Sequence, residues 1–351
     1  MSVLHCGLAR GHQGNPIAGL RVERIYGAPV LLSGTAALVL KTSELSVLHS
    51  HYRKSVRQLL RMPINTPECF IMLMAGCLPA TALVHLRILG LLGMIGRLGP
   101  NNILNRIGRH ALLSVPNLQS WFIQARKISA KYGLPDPLLV LQHPPTKSKW
   151  KNLCRGKVTD HWEQKYRGEA TLLPSLTCFK PNFYSLAFTH RTFSTAGSPY
   201  EVNRATIVAR MLSGRYITDH RTRHWDRSNP AGHCRLCPHF NVGSAPPLGD
   251  LAHQLLHCAG LAEARTRAVQ LWALQIAKKP HLRPLIAAIA AAHPDEILAF
   301  ILDPSSVPGV IRAAQAQGKL VYKDCHHLSR VWCYGNHKMR MKYLKFFGYL
   351  K

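Results

Sequence analysis

The chain has 351 residues, of which 47% are hydrophobic, so it is long enough for two or three domains and apolar enough to fold. Lys and Arg together number 45 and Asp and Glu number 16, which gives a formal net charge of +29. Because two-metal nucleotidyl transfer needs several converging carboxylates, this composition argues against such an enzyme. The sequence contains no glycine-rich phosphate loop and no Gly-x-Ser-x-Gly nucleophile elbow. We therefore expect a non-catalytic protein that binds a polyanion, with nucleic acid favoured over an anionic membrane surface.

The cysteine content and the first residues indicate the compartment. Ten cysteines are too sparse for a disulfide scaffold. The first residues are polar and include His5, Arg10 and His12, unlike a secretory signal. We therefore expect an intracellular protein, in the nucleus or the cytoplasm, whose cysteines are thiols or metal ligands.

The sequence pattern in the first third of the chain indicates helices. Apolar residues at helical spacing indicate an amphipathic helix over residues 44–62. Its second half is basic, which suits either a solvated face or contact with phosphates. Another helix is predicted over 118–132, with Gly133 as its stop.

An uncharged segment from Cys69 to Leu86 has a borderline length for a membrane span. Because Pro79 and His85 lie within it, we predict two buried helices instead. Gly76 would end the first helix and Pro79 would start the second, while Thr66 would cap the first.

A basic stretch with interleaved aromatic residues follows a group of prolines between residues 135 and 145. Such interleaving is typical of single-strand nucleic-acid binding, since bases stack on rings and cations meet phosphates. The helical spacing of Trp150 and Trp162 also suits a packed face, and we favour core positions for the tryptophans and surface positions for the lysines. The candidate phosphate contacts in this stretch are Lys149, Lys151 and Arg155.

Beyond residue 197 the chain again predicts helices. Ser198-Pro199-Tyr200-Glu201 matches a capping box that would open one of them. The further predicted helices cover 262–278, 282–292, 295–302, 308–317 and, as a longer basic helix, 319–346. Since almost no alternating strand pattern is present, we predict a mainly α protein of helical bundle-like segments with one small embedded metal motif.

That motif begins with Cys234 and Cys237, a C-x2-C turn, and continues after fifteen residues with His253 and Cys258, an H-x4-C pair. Two thiolates from a turn and a His/Cys pair from a helix end can close a tetrahedral zinc site, a zinc knuckle. Because protein would fill all four positions, we expect one structural Zn2+ ion and no catalytic metal. The competing imidazoles are His257, His239 and His233.

Basic residues and a second Cys/His group accompany the motif. The candidate nucleic-acid contacts around it are Arg210, Arg215, Arg221, Arg223, Arg227 and Arg235. The second group comprises Cys325, His326, His327, Cys333 and His337. Because this group has no paired-cysteine turn, we favour buried cysteines there over a second metal.

Three stretches resemble the C-terminal region of reverse transcriptases encoded by LINE-type, non-LTR retrotransposons. The first runs from ARMLSGRY at 209–216 through HW at 224–225 to the cysteine turn and AHQLLHCAG, and looks like the family's zinc-binding segment. The second, ILDPSSVPGVI followed by SRVWCYGNHKMRMK, is similar to the family's closing segment. The third, GLRVERIYGAPVLLSGTAALVLKTSELSVLHSHYRKSVRQLLRMP, looks like the helical region that follows the polymerase palm.

The resemblance implies four segments: a thumb-like helical region over 1–135, a basic linker with a helix over 136–197, a zinc-binding segment over 198–260 and a basic helical region over 261–351. It implies RNA or DNA as the partner and a separate reverse transcriptase catalytic domain as a second partner. The residues of the uncharged segment, as argued above, favour no membrane partner. The family's aromatic-Ala-Asp-Asp motif and its endonuclease are absent from this sequence. We therefore expect a nucleic-acid-binding, non-catalytic fragment. The alternatives are part of an RNA-directed DNA polymerase that acts with a separate or missing catalytic domain, and a degenerate relic without activity.

Overall fold

The structure is a computed structural model, and it describes residues 15–114, 120–240, 246–283, 292–318 and 320–350. Helix accounts for 72% of the described residues, and no residue in those ranges belongs to a β-strand. One isolated antiparallel bridge in the described part pairs His233 with Leu248, beside the cysteine turn. The prediction of a mainly α protein is confirmed.

The N-terminal half is a group of helices around an apolar centre. They are α1 (Pro16–Val22), α2 (Thr42–Leu59), α3 (Glu68–Ala75), α4 (Ala80–Arg97), α5 (Ile103–Leu113), α6 (Trp121–Lys131), α7 (Pro137–Gln142) and α8 (Lys147–Leu172). The helices predicted over 44–62 and 118–132 correspond to α2 and α6, although residues 115–119 lie outside the described part. Gly133 follows α6 at a φ of 61°, as expected of the residue that stops a helix.

The uncharged segment forms two helices, α3 and α4, as predicted. Every residue of α3 after Glu68 is buried, and Gly76 ends the helix at a φ of 65°. A Cβ at Gly76 would meet the carbonyl of Phe188 at 2.1 Å, so this turn needs glycine. The predicted Thr66 cap is wrong, because α3 begins one residue later and Pro67 occupies the N-cap position.

Among the described helices, α4 is the one that is long and apolar enough to cross a membrane. More than half of its apolar window is buried inside the protein, and it packs against α2, α7 and α8. Because the core helices of soluble proteins pass the same test, length and composition do not identify α4 as a span.

His85 lies buried in α4, where its Nδ1 is 2.7 Å from the hydroxyl of Tyr132. Burial lowers the pKa of His85 to about 4. The unfolded chain therefore takes up a proton near pH 6.5 that the folded protein excludes. We expect this contribution to stability to be complete above pH 6.5 and to fall by up to about 3 kcal/mol as the pH drops to 4.

Urea unfolding of the wild type and His85→Gln at pH 7 and at pH 4.5 tests this prediction. The variant keeps a side chain that can bond Tyr132 and carries no titrating imidazole. We expect its free energy of unfolding to change less with pH than that of the wild type. Equal pH dependence in the two proteins would contradict the prediction.

The packing of α8 confirms the predicted core positions of Trp150 and Trp162. Its buried side chains recur every four residues along one face, at Trp150, Cys154, Val158, Trp162, Tyr166 and Ala170. The Trp150 Nε1 donates to the carbonyl of Leu89 at 2.7 Å, which fixes α8 against α4. The lysines of the first two turns of α8 are exposed.

The C-terminal half is arranged around one long helix. Its longer helices are α9 (Pro199–Leu212), α10 (Ala262–Lys278), α11 (Pro294–Leu302), α12 (Pro308–Gln317) and α13 (Leu320–Phe346), and the first four all pack on α13. The helices predicted over 262–278, 295–302, 308–317 and 319–346 match α10 to α13. Most of the helix predicted over 282–292 lies outside the described residues, which omit 284–291.

The predicted capping box is only half formed. The Ser198 hydroxyl accepts from the Glu201 N–H at 3.2 Å and caps α9 as expected. The Glu201 carboxylate, however, pairs with Arg330 of α13 at 2.6 Å and with Arg204 at 3.0 Å. Arg330 is 2% exposed and also donates to the carbonyl of Thr192. A buried ion pair therefore joins α9 to α13.

Candidate metal and nucleic-acid sites

Two irregular loops bring the four predicted metal ligands together. The Cys234 N–H donates to the carbonyl of Pro247 at 2.8 Å, which anchors the start of the C-x2-C turn, and Cys237 begins a short 3-10 turn. His253 and Cys258 lie at the two ends of a wide helical turn, in which the Cys258 N–H donates to the His253 carbonyl at 2.7 Å. A turn of this width places residues five apart on one side, which suits the H-x4-C spacing.

The four ligand atoms lie within 4.8 Å of one another and could hold a metal ion. The Sγ of Cys258 is 3.6 Å from that of Cys234 and 3.9 Å from that of Cys237. The Cys237 Sγ is 3.3 Å from the Nε2 of His253. All three thiols are buried. The group is therefore shielded from solvent and complete in protein donors.

Mutual contacts set the acidity of these thiols. The hydrogen bond with Cys258 lowers the pKa of the Cys234 thiol, and the same contact raises the pKa of Cys258. Burial raises the pKa of Cys237. The Arg265 guanidinium donates to the Cys258 carbonyl at 2.7 Å and places a positive charge nearby. The group thus favours one thiolate before any metal binds, and thiolate is the form that ligates metals.

The structure places His253, and none of its competitors, in the ligand group. The His257 side chain is exposed on the far side of the wide turn. His239 stacks on Phe347 with ring centroids 3.8 Å apart. His233 lies outside the four-ligand group.

The end of α13 covers the two loops that carry Cys234, Cys237, His253 and Cys258, which we call the metal-ligand loops. Leu344 belongs to a small apolar cluster with Leu236, Leu261 and the three thiols. One turn earlier, the buried Arg340 pairs with Asp219 at 3.2 Å. The loops are therefore held by the last helix as well as by their own turns.

Three of the six arginines predicted to contact nucleic acid are engaged within the protein, and one of them, Arg223, contacts the imidazoles of His220 and His224. The other two are held more firmly. Arg235 pairs with Asp226, and Arg210 donates to the carbonyl of Arg61 at 3.1 Å. Their guanidinium groups hold loops and helices together, so they are less available to phosphates.

Arg223 and the three remaining predicted arginines lie on two different pockets. Arg215, Arg221 and Arg223 line a pocket of about 380 Å³, into which Asp250 also faces. Arg227 is exposed and lines a separate pocket. The structure therefore does not bring the six arginines together into one surface.

A groove between α4 and α8 is lined by more Lys and Arg side chains than either of these two pockets, and we call it the basic groove. It encloses about 510 Å³, and its described lining residues include no carboxylate. Its cationic lining residues are Arg24, Arg87, Arg97, Lys147, Lys151 and Arg155. Two predicted contacts, Lys151 and Arg155, line the groove, whereas Lys149 is exposed on another face of α8.

Sequence reasoning missed four of these six cations. Lys147 could have been found, because it precedes Lys151 by one helical turn. Arg24, Arg87 and Arg97 reach the groove from α4 and from the turn after α1, which no local pattern reveals.

The second Cys/His group is dispersed. Cys325 and Cys333 are buried, and burial raises the pKa of both thiols, that of Cys325 to about 12. His327 contacts Glu201, and His337 contacts the hydroxyl of Tyr216. The preference for buried cysteines at this position is in agreement with the structure.

The chain matches no protein-family model, and no curated protein or solved structure is detectably similar to it. Its function must therefore be inferred from its own residues. Two features bear on it directly, the four-ligand group and the basic groove.

Proposed function

We propose that this protein binds nucleic acid through the basic groove and performs no catalysis of its own. The observation that carries the proposal is a groove with six cationic side chains and, among its described lining residues, no carboxylate. Phosphate backbones are the polyanions that such a groove suits, and the net charge of +29 attracts them over a longer range.

One wall of the groove is a stripe on α8. Lys147, Lys151 and Arg155 are spaced four apart, so they lie on one face of the helix, and all three are exposed. None of them ion-pairs with a carboxylate of the described residues. These cations are therefore available to an incoming phosphate.

The opposite wall carries arginines held by backbone carbonyls. Arg24 donates to the carbonyl of Ala75 at 2.7 Å, and Arg87 donates to that of Leu32. Arg97 reaches the carbonyl of Pro145 at 3.5 Å. A carbonyl orients a guanidinium without neutralising it, so these arginines present fixed positive charge to the groove.

Zinc is the metal that best fits the Cys/His group. Thiolates 2.3 Å from a tetrahedral ion are separated by about 3.8 Å, and the Cys258 sulfur is 3.6 and 3.9 Å from the other two. An imidazole nitrogen and a thiolate on the same ion are separated by about 3.6 Å, and the Cys237 to His253 distance is 3.3 Å. Since protein donors fill all four positions, the ion would cross-link the two loops and leave no site for substrate.

The resemblance to the C-terminal region of LINE-type reverse transcriptases supports the same proposal. In that setting the groove and the zinc knuckle would hold RNA or DNA for a catalytic domain on another chain or segment. The order and types of the four ligands and the helical surroundings of the knuckle are the features on which this part of the proposal rests, although the gap between Cys237 and His253 is longer than is usual in the family.

Replacing the α8 stripe tests the groove directly. We expect Lys147→Gln/Lys151→Gln/Arg155→Gln to weaken binding and to reduce the slope of log Kd against log salt by about 2 to 3, since each lost phosphate contact contributes about 0.7 to 0.9. Fluorescence anisotropy with labelled single-stranded RNA and duplex DNA, over a series of salt concentrations, measures both quantities.

The matched control is Lys127→Gln/Lys149→Gln/Lys157→Gln, which removes the same charge from exposed positions outside the groove. We expect it to change the slope by less than half as much. Equal effects of the two triple variants would rule out the groove as the interface. A wild type that binds neither nucleic acid at low salt would overturn the proposed function itself.

A further inference from the structure

A second group of side chains that could bind a metal ion is buried in the C-terminal half of the chain. Its members lie outside the cysteine motif, on both sides of it in the sequence. It comprises His190, Asp303 and His326, which are 3%, 1% and 0% exposed. One ligand atom from each of the three lies within 4.8 Å of the others. The three residues come from the irregular segment after α8, from the residue after α11 and from the second turn of α13.

Each imidazole of this group has one nitrogen in contact with a hydroxyl and one without a partner. The Nδ1 of His190 accepts from the Thr192 N–H at 3.3 Å and is 3.1 Å from the Thr192 hydroxyl, and its Nε2 has no hydrogen bond. To bind an ion through Nε2, this imidazole would carry its proton on Nδ1, donate it to the Thr192 hydroxyl and give up the contact with the Thr192 N–H. The Nε2 of His326 is 2.7 Å from the Ser305 hydroxyl, and its Nδ1 has no hydrogen bond. Buried nitrogens without partners are rare, whereas a hydroxyl on the far nitrogen is a common support for a metal-bound imidazole.

The spacing between His190 and Asp303 suits an ion better than a hydrogen bond. The His190 Nε2 is 3.6 Å from the Asp303 Oδ1, beyond the usual 2.7 to 3.2 Å of an N–H···O bond. Nitrogen and oxygen ligands about 2.0 to 2.1 Å from one tetrahedral ion are separated by about 3.3 Å. A small inward shift of either side chain would complete such a pair.

Among the described residues, the Asp303 carboxylate also has no Lys or Arg side chain paired with it to balance its negative charge. Its carboxylate accepts from the Tyr184 hydroxyl at 2.7 Å and from the Ser305 N–H at 3.1 Å, and no Lys or Arg of the described residues ion-pairs with it. A buried carboxylate with no cationic side chain paired to it is costly unless a cation joins the group.

We propose that His190, Asp303 and His326 bind one divalent transition-metal ion, separate from the ion of the cysteine motif. A donor set of two imidazoles and one carboxylate suits Zn2+ and neighbouring first-row ions. The ion would tie the segment after α8 to α11 and α13, and it is a structural site because the group is closed to solvent. This proposal is independent of nucleic-acid binding.

Cobalt spectroscopy and metal counting test the proposal on the full chain, prepared without chelators and then exchanged with Co2+. We expect two ions per chain in the wild type by mass spectrometry. Cys234→Ser/Cys237→Ser should retain one cobalt, with visible d–d bands and no thiolate-to-cobalt charge-transfer band. Asp303→Asn should retain the other, with the charge-transfer band present.

His337→Gln is the matched control, because His337 is a half-buried imidazole of the same helix whose Nδ1 is 3.0 Å from the Tyr216 hydroxyl. It should keep both ions. One ion in the wild type with a charge-transfer band, and none in the double cysteine variant, would overturn the second site and leave the first intact. Two ions in the wild type, both retained in Asp303→Asn, would also overturn it. Because the wild-type count and the cysteine variant do not depend on Asp303→Asn, poor folding of that variant leaves the test decisive.

Discussion

Cys234→Ser/Cys237→Ser is expected to lower the zinc content by one ion per chain and to unfold the loops that carry the ligands. The described parts of the loops contain only short turns, and a small apolar cluster and the Arg340–Asp219 pair tie them to α13. Zinc bound to four protein ligands in small domains supplies roughly 10 to 16 kcal/mol of apparent binding free energy. This is the largest single contribution that we expect from any site in the chain.

Metal analysis by mass spectrometry measures the zinc, and limited proteolysis followed by peptide mapping measures the unfolding. We expect new cleavage sites between residues 218 and 261 in the variant and none within α2 to α8. Cys178→Ser is the matched control, because Cys178 lies outside the four-ligand group. Wild-type zinc content and an unchanged cleavage pattern in the double variant would show that these cysteines are ordinary buried thiols.

Arg330→Met is expected to cost about 3 to 5 kcal/mol of stability, the usual penalty for breaking a buried ion pair. Burial would raise the pKa of Glu201, but hydrogen bonding by His327 and the charge of Arg330 outweigh it and lower this pKa to about 2. Without the guanidinium, Glu201 would remain as a partly buried anion with weaker support. Urea unfolding at pH 7, followed by circular dichroism, measures the loss.

Two further variants identify the cause of that loss. Arg330→Met/Glu201→Gln removes both charges and should recover part of the lost stability, because a pair replaced as a unit leaves no isolated charge. Arg267→Gln breaks an exposed pair with Glu263 and should cost less than about 1 kcal/mol. A loss in Arg330→Met no larger than that in Arg267→Gln would contradict the role given to the buried pair.

Local signals made the helices and the metal ligands predictable. Proline and glycine mark most helix ends in this chain, so α10, α11 and α12 lie within one residue of the predicted bounds. The three candidate ligands Cys234, Cys237 and Cys258 follow from spacing, and the same spacing calls for a histidine just before Cys258. Spacing could not separate His253 from His257, since that choice depends on the wide turn that ends at Cys258.

Contacts between side chains that are far apart along the chain could not be predicted from the sequence. Glu201 matched a capping box, but its carboxylate is taken by Arg330, 129 residues further along. Likewise, 113 residues separate His190 from Asp303, and no local pattern relates them. The basic groove combines a helical stripe, which periodicity can show, with arginines from α4 and from the turn after α1, which only the packing of α4 against α8 brings close.

The cover that α13 places over the metal-ligand loops has a consequence for synthesis of the chain. Cys258, the last of the four ligands, precedes Leu344 by 86 residues. At 5 to 20 residues per second, the ribosome needs about 4 to 17 seconds to make that stretch. The three thiols therefore emerge before their apolar cover exists and are open to oxidation during that interval. If the loops bind zinc as proposed, ion capture by the nascent loops would protect the thiols, and the supply of free zinc during translation would then govern the yield of intact protein.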